Sequence, residues 1–321
     1  MKLVMADEAT MDYRTVPAGA RVFGIPQSLF YWQHEPLWKT FFHELGLTLV
    51  SSGKTTLKIT KEGVIHSEDE SCFSYKVLFG HIVSLAGKVD VIFLPSYLSI
   101  KKNFLSCPKF AGIGDVARCL KLKGTRIFSP IIDLRKKSLS DHLLTIGSSL
   151  GCARSRVVQA SEKALHALED REKENTRAYH ALVAQEGRKV ILFCHQYVAL
   201  DESVNMRIQD KLGKSNIIPI PIHLAPRVGW DPDFLWDFVA EEVAKLKAID
   251  RESIAGIIQL SSFNCGPDSI VTEYVHDFCR EAGIPFLSIL LDEQTGEAGL
   301  ETRLEAFFDT LCFFSAKNTS S

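Results

Sequence analysis

Three of the eight cysteines stand where an α/β chain presents its ligand-binding loops: Cys72 in HSEDESCFSYK, Cys107 in FLSCPKF and Cys265 in SSFNCGPDS. Cys72 opens an expected helix, Cys107 follows an expected strand, and Cys265 lies between a strand and a helix. A helix N-terminus offers free N–H groups and positive partial charge, which lower a thiol pKa and favour thiolate ligation of a metal. Spacing alone does not join the three, because the chain has no CxxC and they lie tens to hundreds of residues apart. A shared metal site and three unrelated loop cysteines both fit the pattern. Cys119, Cys152, Cys279 and Cys312 read as ordinary buried thiols. Cys194, in ILFCHQY, ends a strand and reads as core, as a fourth ligand or as a neighbour of the site.

Other groups are weaker candidates. His195 and Glu70 could move protons, although a lone His is more often a hydrogen-bonded structural residue. The acidic run Glu68, Asp69 and Glu70 before a helix is more simply a cap favoured by the helix dipole, and Asn264 and Asp268 also suit capping. His81 reads as exposed or hydrogen-bonded, and Lys109 as a solvated loop residue beside Cys107. Trp38, Phe41 and Phe42 share helical spacing and belong to a core. Phe30, Tyr31 and Trp32 fall in an expected loop, as a substrate wall or a dimer contact.

Positioning these residues requires loops at the carboxyl ends of parallel strands. From residue 21 the pattern alternates strand, helix and strand: RVFGIP, PLWKTFFHELG, LTLVSS, a helix over 71–86, VDVIFLP, the helix GDVARCLKLKG and RIFSPII. A second series runs through KVILFCH, a helix over 204–212, NIIPIPI, a helix over 233–248, IAGIIQLSSF, a helix over 267–283, PFLSILLD and a final helix to about residue 314. The expected organisation is an N-terminal extension over 1–20, a first α/β domain over 21–134, bridging helices over 135–187 and a second α/β domain over 188–321. Such sheets bind ligands beyond the carboxyl ends of their strands.

Composition narrows the function. The 321 residues carry a net charge of −2, with 46% hydrophobic and 24% charged residues, and no long basic run, so no nucleic-acid partner is expected. No GxGxxG follows a strand, and SSGKTT lacks the leading Gly of a phosphate loop. The first twenty residues do not read as a secretory signal, and no apolar stretch reaches the length of a membrane span. The expectation is a cytoplasmic protein whose thiols stay reduced.

Several runs together carry a resemblance: GIPQSLFYWQHEPLWKTFFHELGLTLV, DESCFSYKVLFGHI, VDVIFLPSYLSI and NFLSCPKFAGIGD, then YVALDESVNM, SSFNCGPDSI and GIPFLSILLDEQTGEAGLETRLEAFFDTL. Over most of its length the chain resembles the acyl-CoA dehydratase activase-related family, kin of the 2-hydroxyacyl-CoA dehydratase subunits. The resemblance implies two flavodoxin-like (Rossmann-like) domains with a 4Fe-4S cluster at their interface on Cys72, Cys107 and Cys265, leaving one iron without a protein thiolate. It also implies an ATP-hydrolysing activator, itself an iron-sulfur protein, as electron donor, a homodimer, and reduction or dehydration of a small molecule or acyl-CoA. The chain would then be an oxidoreductase or lyase component. The alternative is a non-catalytic electron carrier or adaptor, with Cys194 completing the ligation. The chain departs from its relatives at Cys194, His195, Gln196 and Tyr197, where they carry a Gly-Arg-Pro-Tyr-like sequence, and at Ser74, where a Pro follows the first cysteine motif. The missing Arg removes an anion-binding group from that loop.

Overall fold

A computed structural model describes residues 16–318, apart from Lys121 and Lys123. The expected extension over 1–20 lies outside the described residues up to 15. The first half runs β1 (Val22–Ile25), α1 (Tyr31–Glu44), β2 (Thr48–Ser51), α2 (Leu57–Ile65), α3 (Phe73–Leu85), β3 (Val91–Phe93), β4 (Ser96–Ser99), α4 (Pro108–Ala111), α5 (Ile113–Arg118), β5 (Arg126–Phe128) and β6 (Ile131–Asp133). Two helices follow, α6 (Leu139–Ser149) and α7 (Arg154–Val183). The second half runs β7 (Arg188–Phe193), α8 (Gln196–Leu200), α9 (Ile208–Lys214), β8 (Ile217–Pro221), α10 (Asp237–Ala248), β9 (Gly256–Ser262), α11 (Gly266–Ala282), β10 (Phe286–Leu291) and α12 (Glu297–Asn318).

Both four-stranded sheets are parallel and share one topology, and β4 and β6 form a third, two-stranded parallel sheet. The first is ordered β2-β1-β3-β5 and the second β10-β9-β7-β8, so in each the strand order reverses beside the first strand of the half. Short runs such as VIF and VILF are buried on both faces, as a helix-covered parallel sheet requires. Pro95 and Pro130 interrupt β3–β4 and β5–β6, and the amides of Leu94 and Ser96 carry the ladder across by donating to the Phe128 and Pro130 carbonyls at 2.9 Å. Helix α7, 30 residues and thus about 45 Å long, packs against α1 and α6 and also reaches β8. Arg171 pairs with Glu35 of α1 at 3.2 Å, while Glu172 pairs with Arg227 of the second half at 2.8 Å.

Several elements depart from expectation. Helix α2 has no strong sequence signal, since LKITKEGVI holds β-branched residues and a Gly; its packing on α3 through Ile59 and Gly63 stabilises it instead. The helix expected from 233 begins at Asp237, because Trp236 is extended and bridges to Leu105. The helix expected over 204–212 begins at Ile208, after Met206 and Arg207 adopt left-handed backbone with φ of 54° and 55°. The helix expected over 114–124 ends at Arg118. Phe30 and Tyr31 are buried at the start of α1 rather than exposed in a loop, whereas Trp38, Phe41 and Phe42 are core as expected. Cys119 and Cys312 are exposed rather than buried. Among the described residues no helix is long and apolar enough to cross a membrane.

One buried contact ties the halves together and predicts a pH response. His81 of α3 is fully buried; its Nδ1 lies 2.7 Å from Ser52 Oγ and its Nε2 2.8 Å from Thr55 Oγ1, whose hydroxyl donates to Asp201 of the second half. Burial pushes the imidazole pKa down to about 4. A group whose pKa is lowered by folding contributes fully above its unfolded value, near 6.5, and loses that contribution as pH falls toward the folded value. The stability advantage of wild type over His81→Gln in urea unfolding should therefore shrink by about 2–3 kcal/mol between pH 7 and pH 4.5. An unchanged difference would refute this assignment.

Candidate functional site

Cys72, Cys107 and Cys265 come together, and each is the N-cap of its helix: Cys72 of α3, Cys107 of α4 and Cys265 of α11. His195 is likewise the N-cap of α8. All four line one narrow cavity of about 20 Å³, walled by Leu29, Tyr75, Phe110, Tyr197, Trp236 and Phe238. The reason is topological. Cys107 follows β4, the continuation of β3, and His195 and Cys265 follow β7 and β9, so the residues sit near the points where strand order reverses in the two sheets.

Hydrogen bonds across the halves hold the loops in register. The Phe73 amide donates to the Phe263 carbonyl at 3.2 Å, joining the Cys72 and Cys265 loops. Ser74 Oγ meets Ser262 Oγ at 2.6 Å, a contact between the halves. Lys76 reaches Glu293 at 2.6 Å. Beside Cys107, Ser106 donates to the buried Asp237 carboxylate at 2.5 Å, and Leu105 exchanges backbone bonds with Leu235 and Asp237. Phe238 packs on Phe30, Phe110 and His195, with ring centroids 4.8, 5.6 and 5.7 Å away.

Burial raises the pKa of all three thiols, that of Cys265 to about 12. Free helix amides oppose it: Tyr75 for Cys72, Lys109 and Phe110 for Cys107, and Asp268 for Cys265. The thiols are thus neutral by themselves, and a bound cation would draw out their protons. The donor set suits a soft metal or an iron-sulfur cluster, because the lining supplies sulfur and no carboxylate.

His195 lies between two acids. Its Nδ1 is 2.9 Å from Glu242 Oε1 and its Nε2 3.0 Å from Asp268 Oδ1, with the His195 side chain 3% exposed. Burial opposes its charge, yet Glu242, Tyr197 and Asp268 outweigh burial and raise its pKa well above the ordinary value. The two carboxylates thus favour the positively charged form of His195. His195 Nε2, Cys265 Sγ and an Asp268 oxygen also lie within 4.8 Å of one another, as ligands of a single ion would, but both ring nitrogens are already engaged by carboxylates.

Some expectations change. Asp268 is not a cap; its carboxylate accepts from the Ser262 amide at 3.2 Å and holds His195. No side chain caps α3, and Glu68, Asp69 and Glu70 are exposed, with Glu70 outside the thiol cavity. Cys194 is buried and absent from the cavity lining, while Lys109 lines it and sits 5.3 Å over the Tyr75 ring. Glu242 was not foreseen from sequence. Its signal is an acid on the apolar face of α10, in step with Phe238, Val239, Val243 and Leu246.

Comparison with known proteins bears on the family of the chain. No curated protein matches the chain. Among solved structures, the laminin binding protein of Streptococcus agalactiae, described as having adhesin and metal transporting activity, aligns at 12% identity over 91% of this chain and 100% of that one, with a TM-score of 0.28. A zinc-bound AdcAII variant of Streptococcus pneumoniae aligns at 11% identity over 91% of this chain and 99% of that one, also with a TM-score of 0.28. Scores this low bear on neither fold nor site. The family models are informative: residues 22–224 match the CoA enzyme activase uncharacterised domain, and residues 241–311 match the 2-hydroxyglutaryl-CoA dehydratase D-component. The chain therefore belongs to the acyl-CoA dehydratase and activase-related family.

Proposed function

We propose that Cys72, Cys107 and Cys265 hold a 4Fe-4S cluster between two domains, 21–134 and 188–321, bridged by 135–187. The chain then takes low-potential electrons from an ATP-hydrolysing activator in a reducing, cytoplasmic setting and uses them to reduce or dehydrate a small molecule or acyl-CoA. The observation that carries this reading is the convergence of three N-cap cysteines from both halves on one carboxylate-free cavity. A cluster with three thiolate ligands supplies one-electron chemistry and an iron open to a further ligand.

The chain's own residues do the rest. His195 sets a positive charge beside Cys265, offsetting the negative charge that ligation would build up, and Glu242 and Asp268 keep that imidazole in place. Phe110, Tyr197 and Phe238 keep bulk water from the thiols. Burial of Cys194 away from the lining favours three thiolate ligands over four, and thus the catalytic reading over the electron carrier.

The test is iron, acid-labile sulfide and EPR after anaerobic reconstitution. Wild type, Cys194→Ala and Cys279→Ala should hold about four irons per chain, and Cys72→Ala, Cys107→Ala and Cys265→Ala should each lose the cluster signal. Iron retained in those three variants, or none in wild type, would end this reading.

A further inference from the structure

The thiol cavity offers about 20 Å³ beside its three sulfurs, room for about one water. A substrate of more than a few atoms must therefore keep its body outside. Cys72 and Cys107 are partly exposed whereas Cys265 is buried, so the site faces solvent on the side of the first two. Their chain neighbours, Ser71 and Pro108, line a groove of about 620 Å³ that runs between the α2–α3 pair and α4–α5. Tyr75 and Lys109 line both the groove and the thiol cavity, and so stand at the passage from one to the other.

Two other voids border the thiol cavity and make poorer routes. One shares Leu29 and Phe110 with it, but holds about 30 Å³ among core side chains such as Trp38 and Phe93. The other, about 240 Å³, shares Phe238, whose ring packs on Phe110 and His195 and closes the gap. The groove is also the right size, within the roughly 300–1,000 Å³ of small-molecule pockets. Its lining combines buried Tyr75 and Phe79 with Ile65 and Val116, which stay 72% and 41% exposed. Apolar side chains left bare in a concave surface gain by being covered. At the inner end, Lys109 Nζ rests 5.3 Å over the Tyr75 ring. A single cation–π contact is weak, so the lysine swings aside at small cost.

We propose that this groove binds the body of the thiol site's substrate, an elongated molecule with a largely apolar chain, and that its reacting end alone passes between Lys109 and Tyr75. The chain lies on Ile65, Phe79 and Val116, and its tip meets Cys72 and Cys107 first. The groove and the passage stand without any cluster. Only the further step, that the tip reacts at an open iron, rests on the reading above.

Alkylation of the full-length chain before cluster reconstitution tests it, with Cys119→Ser and Cys312→Ser as background because both thiols are exposed. The probes are N-methyl, N-hexyl and N-adamantyl iodoacetamide, and peptide mass spectrometry reads each site. At Cys72 and Cys107 the hexyl reagent should react about tenfold faster than the methyl one, or more, and its rate should saturate with concentration. The adamantyl reagent, apolar but compact, should show no such gain. Cys152, partly exposed and outside the groove, is the internal reference and should not distinguish hexyl from methyl. Val116→Asp and Ile65→Asp, at exposed positions, should each remove the hexyl advantage and leave the methyl rate unchanged. Equal methyl and hexyl rates, the same gain at Cys152 or with adamantyl, or a hexyl advantage that survives both variants would overturn the proposal, even in a chain that takes up iron. A hexyl advantage in a chain that takes up no iron would leave it standing and sink the cluster alone.

Discussion

Replacing His195 with leucine is expected to cost about 3–5 kcal/mol of folding stability, the usual result of breaking a buried ion pair from one side. The imidazole is enclosed between Glu242 at 2.9 Å and Asp268 at 3.0 Å, and both carboxylates are nearly as buried as the ring. Leucine keeps much of the volume, so the loss is chiefly that of leaving two acids in a low-dielectric site without a cation. Urea unfolding reads the effect. Adding Glu242→Gln and Asp268→Asn to His195→Leu removes both charges and should recover a large part of it. A loss below about 1 kcal/mol in the single variant, or no recovery in the triple one, would show that His195 is not the charge on which this cluster of groups depends.

Gly80→Ala should cost about 3 kcal/mol, at the upper end of what overpacking usually exacts. Helices α2 and α3 meet backbone to backbone: a Cβ on Gly80 would lie 1.8 Å from the Ile59 carbonyl oxygen and 3.0 Å from the Gly63 nitrogen, and one on Gly63 would lie 2.1 Å from the Lys76 oxygen. No side chain can move aside, so α3 must shift, and Cys72 at its N-terminus shifts with it. Gly213 is the control. It lies inside α9 with nothing within 4 Å of an added Cβ, so Gly213→Ala should be neutral or stabilise by up to about 1 kcal/mol. Similar urea midpoints for the two variants would contradict the close helix contact.

Much of this protein was legible in its sequence. Apolar runs such as VIF and VILF must be covered on both sides, and the amphipathic segments between them supply the cover, so parallel α/β layers follow from patterning alone. The loop positions of Cys72, Cys107 and Cys265 follow as well, because a residue just before a helix lies at the end of the sheet where free amides point. Helix α2 did not, since its stability comes from two glycines meeting across a helix pair and not from propensity.

The convergence of the three cysteines could not be read from their spacing, because it depends on two sheets of one topology presenting their carboxyl ends to each other. The partners of His195 needed the fold too. Asp268 reads locally as a cap and Glu242 carries no local sign of its partner, and only when α10 and α11 pack around the loop after β7 do both reach the same imidazole. Sequence determined which residues stand at strand ends and helix starts, since those are local consequences of hydrophobic period. Tertiary structure alone decided which of them share a charge, a cavity or a hydrogen bond, since those are set by distances between segments that the chain's order does not encode.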